Sequence, residues 1–477
     1  DALSESLSPA PPPKPRRRLS RPLAATGVVL ILLIAVLAGV WLNRRAVARE
    51  ALVGWLDRKG IEADVEIERI ELDGVTARVR VGDERNPDFA VERAEVDYVI
   101  AWPWSGGLGV TPSRIRLVRP VLRAAWRGGE LSLGSLDPLV KAFTARPPSP
   151  DSKGPLVIVE GGRVALTTEY GPVQINADAR VNDGKLMSLS ALMPAASLRS
   201  GDVEARGLTA VLRATTTGDR LAFTLDAAAD RFELPSAGGR TARLNLSGET
   251  AYPDARTRRG DGAARIEAVL TGDVLRLATA SATTATARLS FDGRITGWLD
   301  AFRIEGQADA SLRAGSLAGP VRAAGLSLTT DSSAAVLARD ARGFNWRLGA
   351  PARVSAASFD AGAAAGRGVV LTSRRLTLGG RDAAFEVTGP LALTADRLSS
   401  GELSLGGARG AVDLDLVQDG TLRITAEGSL TAAHGAWPLF GAPARDDVPE
   451  LGAMKRALGD FDFSAPGFRF ALGPNGS

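Results

Sequence analysis

The stretch "GDRLAFTLDAAADRFEL", residues 218–234, decides the fold. In an extended chain Leu221, Phe223, Leu225, Ala227 and Ala229 point one way. Ala222, Thr224, Asp226, Ala228 and Asp230 point the other. Similar stretches recur from Pro155 to about Thr431, among them "TARLNLSGE", "ARIEAVLTG", "TARLSFDG", "FNWRLG", "GAVDLDLVQDG" and "TLRITAEGSL". They read as strands of roughly five to eight residues, separated by Asp-Gly or Gly-x-Leu turns. No fixed period marks a propeller or a hexapeptide solenoid.

A one-sided strand is stable only if its apolar face leaves water. Helices that would cover these strands are nearly absent from the pattern. Four arrangements satisfy the constraint: a closed barrel, two facing sheets, a filled solenoid, or an open gutter whose inner face meets lipid. A membrane barrel needs strands of about 9–11 residues and aromatic girdles. The expected strands are shorter, and aromatics are 5% of the chain. The inward candidates are often small (Ala, Val, Leu), which leaves room for a cavity or groove.

Residues 1–22, rich in Pro, Ser and charge, read as a disordered tail. "LAATGVVLILLIAVLAGVWL", Leu23–Leu42, carries no charge. As a helix it covers roughly 30 Å, the hydrocarbon thickness of a bilayer. Leu23, Val28, Leu30, Leu33, Val36 and Leu42 represent this expected anchor, with Trp41 at an interface. Ala46-Val47-Ala48 has the form of a cleavage site, but the apolar run is long for a signal peptide, and Arg44 and Arg45 intervene. The basic residues flanking the segment balance, so charge alone leaves its orientation open.

Residues 43–60 keep helical spacing, with Val47, Ala51 and Trp55 on one face. "GSLDPLVKAFTA" (134–145) reads as a helix that Asp137 can cap, with Pro138 at its first position. "RPPSPDSKGP" reads as a linker, and "DVPELGAMKRAL" (447–458) as one short helix. The expected layout is a tail (1–22), an anchor (23–42), a membrane-proximal α+β cap (43–145), a linker (146–155), a β-rich groove (156–436), and a short helix starting a continuing β region (437–477). The chain starts at Asp1 and ends in "LGPNGS", which reads as part of something longer.

Composition argues against several functions. The net charge is +4, and the basic residues alternate with acidic ones along strands. No basic stripe with interleaved aromatics marks a nucleic-acid surface. There is no cysteine, and His434 is the single histidine. Thiolate chemistry, a His-based triad and a Cys/His metal site are therefore not expected within this chain. No G-x-S-x-G, S-x-x-K or G-x-x-x-x-G-K motif is present, so no enzyme activity and no cofactor are expected.

"IRLVRPVLRAAWRGGELSLGSLDPLV" (115–140) resembles a stretch of YdbH-like proteins. It has a strand ending in Arg119-Pro120, a return strand, then Gly129-Glu130-Leu131-Ser132-Leu133-Gly134 and Leu136-Asp137-Pro138-Leu139. "REALVGWLDRKGIEADVEIERIELDGV" (49–75) fits the same layout. These proteins are similar to the AsmA-like group that includes TamB. The resemblance implies an inner-membrane anchor, a periplasmic body, and a curled, antiparallel-type β-groove with a few short helices. It implies phospholipid moving along that groove toward the outer membrane, where a lipoprotein or other protein meets a C-terminal part not present here. The family has also carried a dicarboxylate-transport label. A scaffold that docks outer-membrane proteins by strand addition is the alternative.

Strand parity selects candidate lining residues: Leu221, Phe223, Leu225, Leu244, Leu246, Ile266, Leu270, Leu289, Phe291, Phe344, Trp346, Leu348, Leu414, Leu416, Leu422 and Ile424. For each of them ordinary sheet core is the competing assignment.

Overall fold

The computed structural model describes residues 63–71, 73–101, 109–127, 130–138, 154–253, 260–277, 280–298, 301–340, 343–381, 384–436 and 461–472. The expected tail, anchor and helices at 43–60 and 447–458 lie outside them. Among the described residues no helix is long and apolar enough to cross a membrane.

The described residues form a single 22-stranded sheet. Its first part comprises β1 (Ala63–Ile70), β2 (Gly74–Val81), β3 (Phe89–Ala101), β4 (Gly109–Val118), β5 (Val121–Arg127) and β6 (Glu130–Ser132). Next come β7 (Leu156–Thr168), β8 (Gly171–Asn182), β9 (Lys185–Ser200), β10 (Val203–Thr217), β11 (Arg220–Glu233), β12 (Ala237–Ala251), β13 (Gly262–Leu277) and β14 (Ala280–Trp298). The last part comprises β15 (Ala301–Ala318), β16 (Arg322–Asp340), β17 (Gly343–Asp360), β18 (Ala364–Arg381), β19 (Ala384–Ser400), β20 (Leu403–Gln418), β21 (Leu422–Ala436) and β22 (Phe461–Leu472).

Several of these strands reach 18 or 19 residues, which corrects the expectation of five to eight. Glycines inside them had the look of turns. The expected few short helices reduce, among the described residues, to one 3-10 turn at Gly134–Leu136 that runs into helical Asp137 and Pro138.

From β7 to β22 each strand pairs antiparallel with the next. The exception to this meander lies earlier. β4 and β5 act as one strand bent at Arg119-Pro120. They bond antiparallel to β3 on one side and parallel to β7 on the other. Parallel neighbours need a crossover, and residues 133–155 supply it.

The motif residues shape the start of that crossover. The Asp137 carboxylate accepts the Leu133 N–H (2.7 Å) and the Ser132 hydroxyl (2.6 Å). It thus reaches back into the turn instead of capping forward. Gly134 turns at φ +60, and Ser135 donates its N–H (2.8 Å) and O–H (2.6 Å) to Asp88 in the β2–β3 connection.

A line of left-handed residues crosses the sheet from β10 to β21. Gly207, Thr241, Thr284, Gly325, Gly368 and Gly407 have φ of 62, 52, 47, 62, 60 and 62°. The register places them in one file with Asp230, Asp273, Gly315, Ala357, Asp396 and Ala433 of the intervening strands. Where a strand crosses this file, alternation skips a beat and two successive residues face outward, as at Asp230-Arg231, Arg240-Thr241 and Asp396-Arg397. On the other face small residues close the fold line: Ala229, Ala242, Ala285, Ala314, Ala395, Ala408 and Ala432 are all buried. The file is a crease that separates a short lip of each strand from its long wall.

Backbones come close only between hydrogen-bonded neighbours, apart from the 3-10 turn beside β5 and a few weaker approaches. No pairing joins β1 to β22. Among the described residues the sheet is neither a closed barrel nor a sandwich.

The crease makes a local prediction. A Cβ on Gly368 would fall on the Asp396 carboxylate, at a φ that L-residues avoid. Gly368→Ala should therefore destabilise by about 1–3 kcal/mol. Thr241→Gly, which relieves the same strain, should be neutral or stabilising by up to about 1 kcal/mol. Denaturant unfolding of both variants checks this, and equal losses would remove the crease from the account.

A second prediction concerns acid. The hydrogen bonds from Ser135 hold the Asp88 carboxyl below the usual aspartate range. A lowered carboxylate stabilises above its ordinary pKa, and that contribution is lost as pH falls through the lowered value. The Ser135 amide resonance should shift in that acid window, and in Asp88→Asn it should not.

Candidate functional site

The two faces of the sheet differ in kind. On the outer face some direct cross-strand neighbours carry opposite charges, such as Arg265 and Asp292 at 2.7 Å. Arg114 meets Asp97 at 2.7 Å, and Arg116 meets Glu160 at 2.7 Å and Glu95 at 3.1 Å. These pairs are solvent-exposed and contribute little each. The hydrogen bonds from Arg116 still hold Glu160 below the usual carboxylate range.

The inner face carries an unbroken apolar file. Met193, Ala210, Ala227, Leu244, Leu270, Ala287, Leu312, Leu328, Val354, Leu371, Leu393, Gly410, Leu430 and Ala465 are paired in succession from β9 to β22. With strands about 4.8 Å apart, its contour is roughly 60 Å. The file runs across the strands beside the crease, so the long axis of the groove is perpendicular to the chain direction.

All the candidate residues named from parity fall on this face. Leu225 pairs with Leu246, Leu244 with Leu270, and Ile266 with Phe291. Leu348 connects through Leu378 and Val387 to Leu416 and Ile424. Leu221 and Phe223 sit opposite Thr250 and Gly248; Leu414 and Leu422 sit opposite Ala426 and Gln418. Phe291 is buried with Ala264 and Ala308, so it belongs to the floor. Leu289 (41% exposed) and Phe344 (43%) stand open to solvent. Trp346 and the remaining candidates are half-buried.

At its C-terminal end the concavity holds an open trough of about 560 Å³. Residues from both sides of the crease line it: Leu398 and Leu405 from the lip, Leu371, Leu393 and Val412 from the wall, and Phe463 and Phe468 from β22. Strand parity alone missed these. "GPLALTAD" contains Gly389-Pro390, which has the signature of a turn. Instead it runs within β19, where the Pro390 carbonyl accepts the Ser373 hydroxyl at 2.7 Å.

Aromatic rings on this face lie over glycines of the paired strand. An added Cβ would meet the ring of Phe223 at Gly248 (3.0 Å), of Phe232 at Gly239 (2.5 Å), of Phe359 at Gly366 (2.5 Å) and of Trp346 at Gly380 (2.9 Å). The missing side chain lets each ring lie flat, so bulky residues cover the sheet without filling the groove.

No group of three His, Asp or Glu is placed to hold a metal among the described residues. Among the described residues the buried polar side chains of the inner face are Thr216, Thr330, Ser333, Ser373 and Gln418. What the surface can do is shelter hydrocarbon.

Gly366→Leu tests the trough. It should lift the Phe359 ring into the cavity and reduce uptake of an apolar fluorophore severalfold, with secondary structure by circular dichroism retained. Undiminished uptake would mean that the trough is not where apolar guests sit.

The family described as YdbH-like, intermembrane phospholipid transport protein YdbH, matches residues 31–476. No curated protein matches, and neither does any solved structure.

Proposed function

This chain belongs to the YdbH-like family, and from that membership together with the continuous apolar file we propose that it carries phospholipid along the concave face of its sheet. Acyl chains lie against the inner face, and headgroups stay in water at the open side. The observation that carries this reading is the file from Met193 to Ala465: no strand between β9 and β22 interrupts it with a charge.

A physical argument favours a groove of this form over a deep pocket. Each buried CH₂ contributes about 0.8 kcal/mol, so two chains in a single closed site would be held too tightly to leave. On a uniform surface a lipid moves from row to row while its burial stays nearly constant. The groove then sets a path and not a direction.

In the same proposal residues 23–42 anchor the protein in the inner membrane, and the sheet stands in the periplasm. Lipid travels toward the outer membrane, where an outer-membrane protein or lipoprotein receives it. Docking of other proteins by strand addition is a second reading, favoured by one feature: β22 is bonded on one side only among the described residues.

Site-specific photo-crosslinking separates the two. A diazirine side chain at Leu371 or Phe223 should yield phospholipid adducts in cells, and the same group at outward Asn245 should not. Adducts confined to neighbouring protein side chains at both inner positions would sink the transport reading.

A further inference from the structure

The inner face is free of charge along its described length with one exception. From β10 to β22, Arg339 is the single charged side chain on that face among the described residues. It lies next to the last residue of β16, at the rim of the long wall farthest from the crease. Phe302 is its direct partner on one side and Phe344 on the other.

The two rings meet edge-on with centroids 6.3 Å apart, and the Arg339 guanidinium stands 5.3 Å from the centre of the Phe344 ring. On the outer face Arg265, Arg303 and Arg423 each have an acid within 2.8 Å. Arg339 and Phe344 are both exposed.

We infer that Arg339, seated between Phe302 and Phe344, is a contact point for the phosphate of a lipid headgroup at the rim of the groove. The inference rests on the proposed lipid path and adds the chemistry that reads the headgroup. A guanidinium presents two parallel donors to a phosphate diester and remains charged at any physiological pH. Its cation–π contact with Phe344 leaves those donors available. The exposed Phe344 ring and the half-buried Phe302 ring beside it offer apolar surface to the glycerol and first methylenes.

The test compares three probes on the full chain: dioctanoylphosphatidylglycerol, dioctanoylglycerol and inorganic phosphate. The wild type should prefer the phospholipid over the diacylglycerol by about tenfold, as expected for one charge-assisted contact. Arg339→Gln should erase that preference and leave diacylglycerol binding unchanged, and Arg339→Lys should retain part of it. An unchanged preference in Arg339→Gln overturns the headgroup contact and leaves the groove standing. Failure of the wild type to bind either lipid overturns both. Arg339-dependent binding of inorganic phosphate, with no preference between the two lipids, would mark a free-anion site and overturn the assignment to lipid.

Discussion

Among the described residues the single-layer sheet has one apolar face and no second layer over it, and the crease is how these strands respond. Six residues at left-handed φ, one in every second strand from β10 to β20, bend each strand toward its own apolar side. Two of the six are threonines, which tolerate that conformation at about 1–2 kcal/mol each. The bend lets the lip and wall of each strand cover part of one another's surface, with alanine filling the angle between them. Larger side chains at Ala285 or Ala408, which are 2% and 1% exposed, would force the two parts open.

The same bend leaves the rest of the inner face half-covered. Burying a Leu or Phe completely yields about 1.5–3 kcal/mol, yet Leu289, Leu337 and Phe344 remain more than a third exposed. A globular fold would have recruited a helix to collect that stabilisation. Here the aromatic rings are lowered onto glycines and the trough is kept clear. Both features oppose maximal self-burial, and both make sense for a surface whose remaining cover is a guest.

Much of this was legible in the alternation of residues such as Leu221, Phe223 and Leu225 against Thr224 and Asp226. Period two, once recognised, assigns a face without knowledge of the partners, and so parity alone gathered the candidate residues on one side. The lengths of the strands and the crease were not legible. Gly207 and Gly368 lie inside strands, but a glycine amid polar neighbours has the same local signature whether it begins a turn or bends a strand. The parity skip also hid Leu398 and Leu405, because the count that works on one side of the crease fails on the other. Only register, set by the partner strands, separates these cases. The role of the Leu133–Asp137 segment was equally hidden: its Ser135 N–H and O–H donate to a residue distant in sequence, Asp88.

The uniformity of the groove has a consequence for how lipid would move in it. Where successive rows offer equal apolar cover, the free energy of a sliding chain is nearly flat, and net movement follows whatever difference exists at the two ends. A flat path is easily spoiled. One charged group on the inner wall, buried among the acyl chains, would act as a barrier of several kcal/mol. The described strands from β10 to β22 keep such groups outward, through twelve reversals of strand direction and a crease that shifts the parity of each strand it crosses. Arg339 escapes that rule only at the rim, where water and a headgroup can reach it. Its position there is the arrangement that lets a charged lipid be read without obstructing the hydrocarbon track beneath.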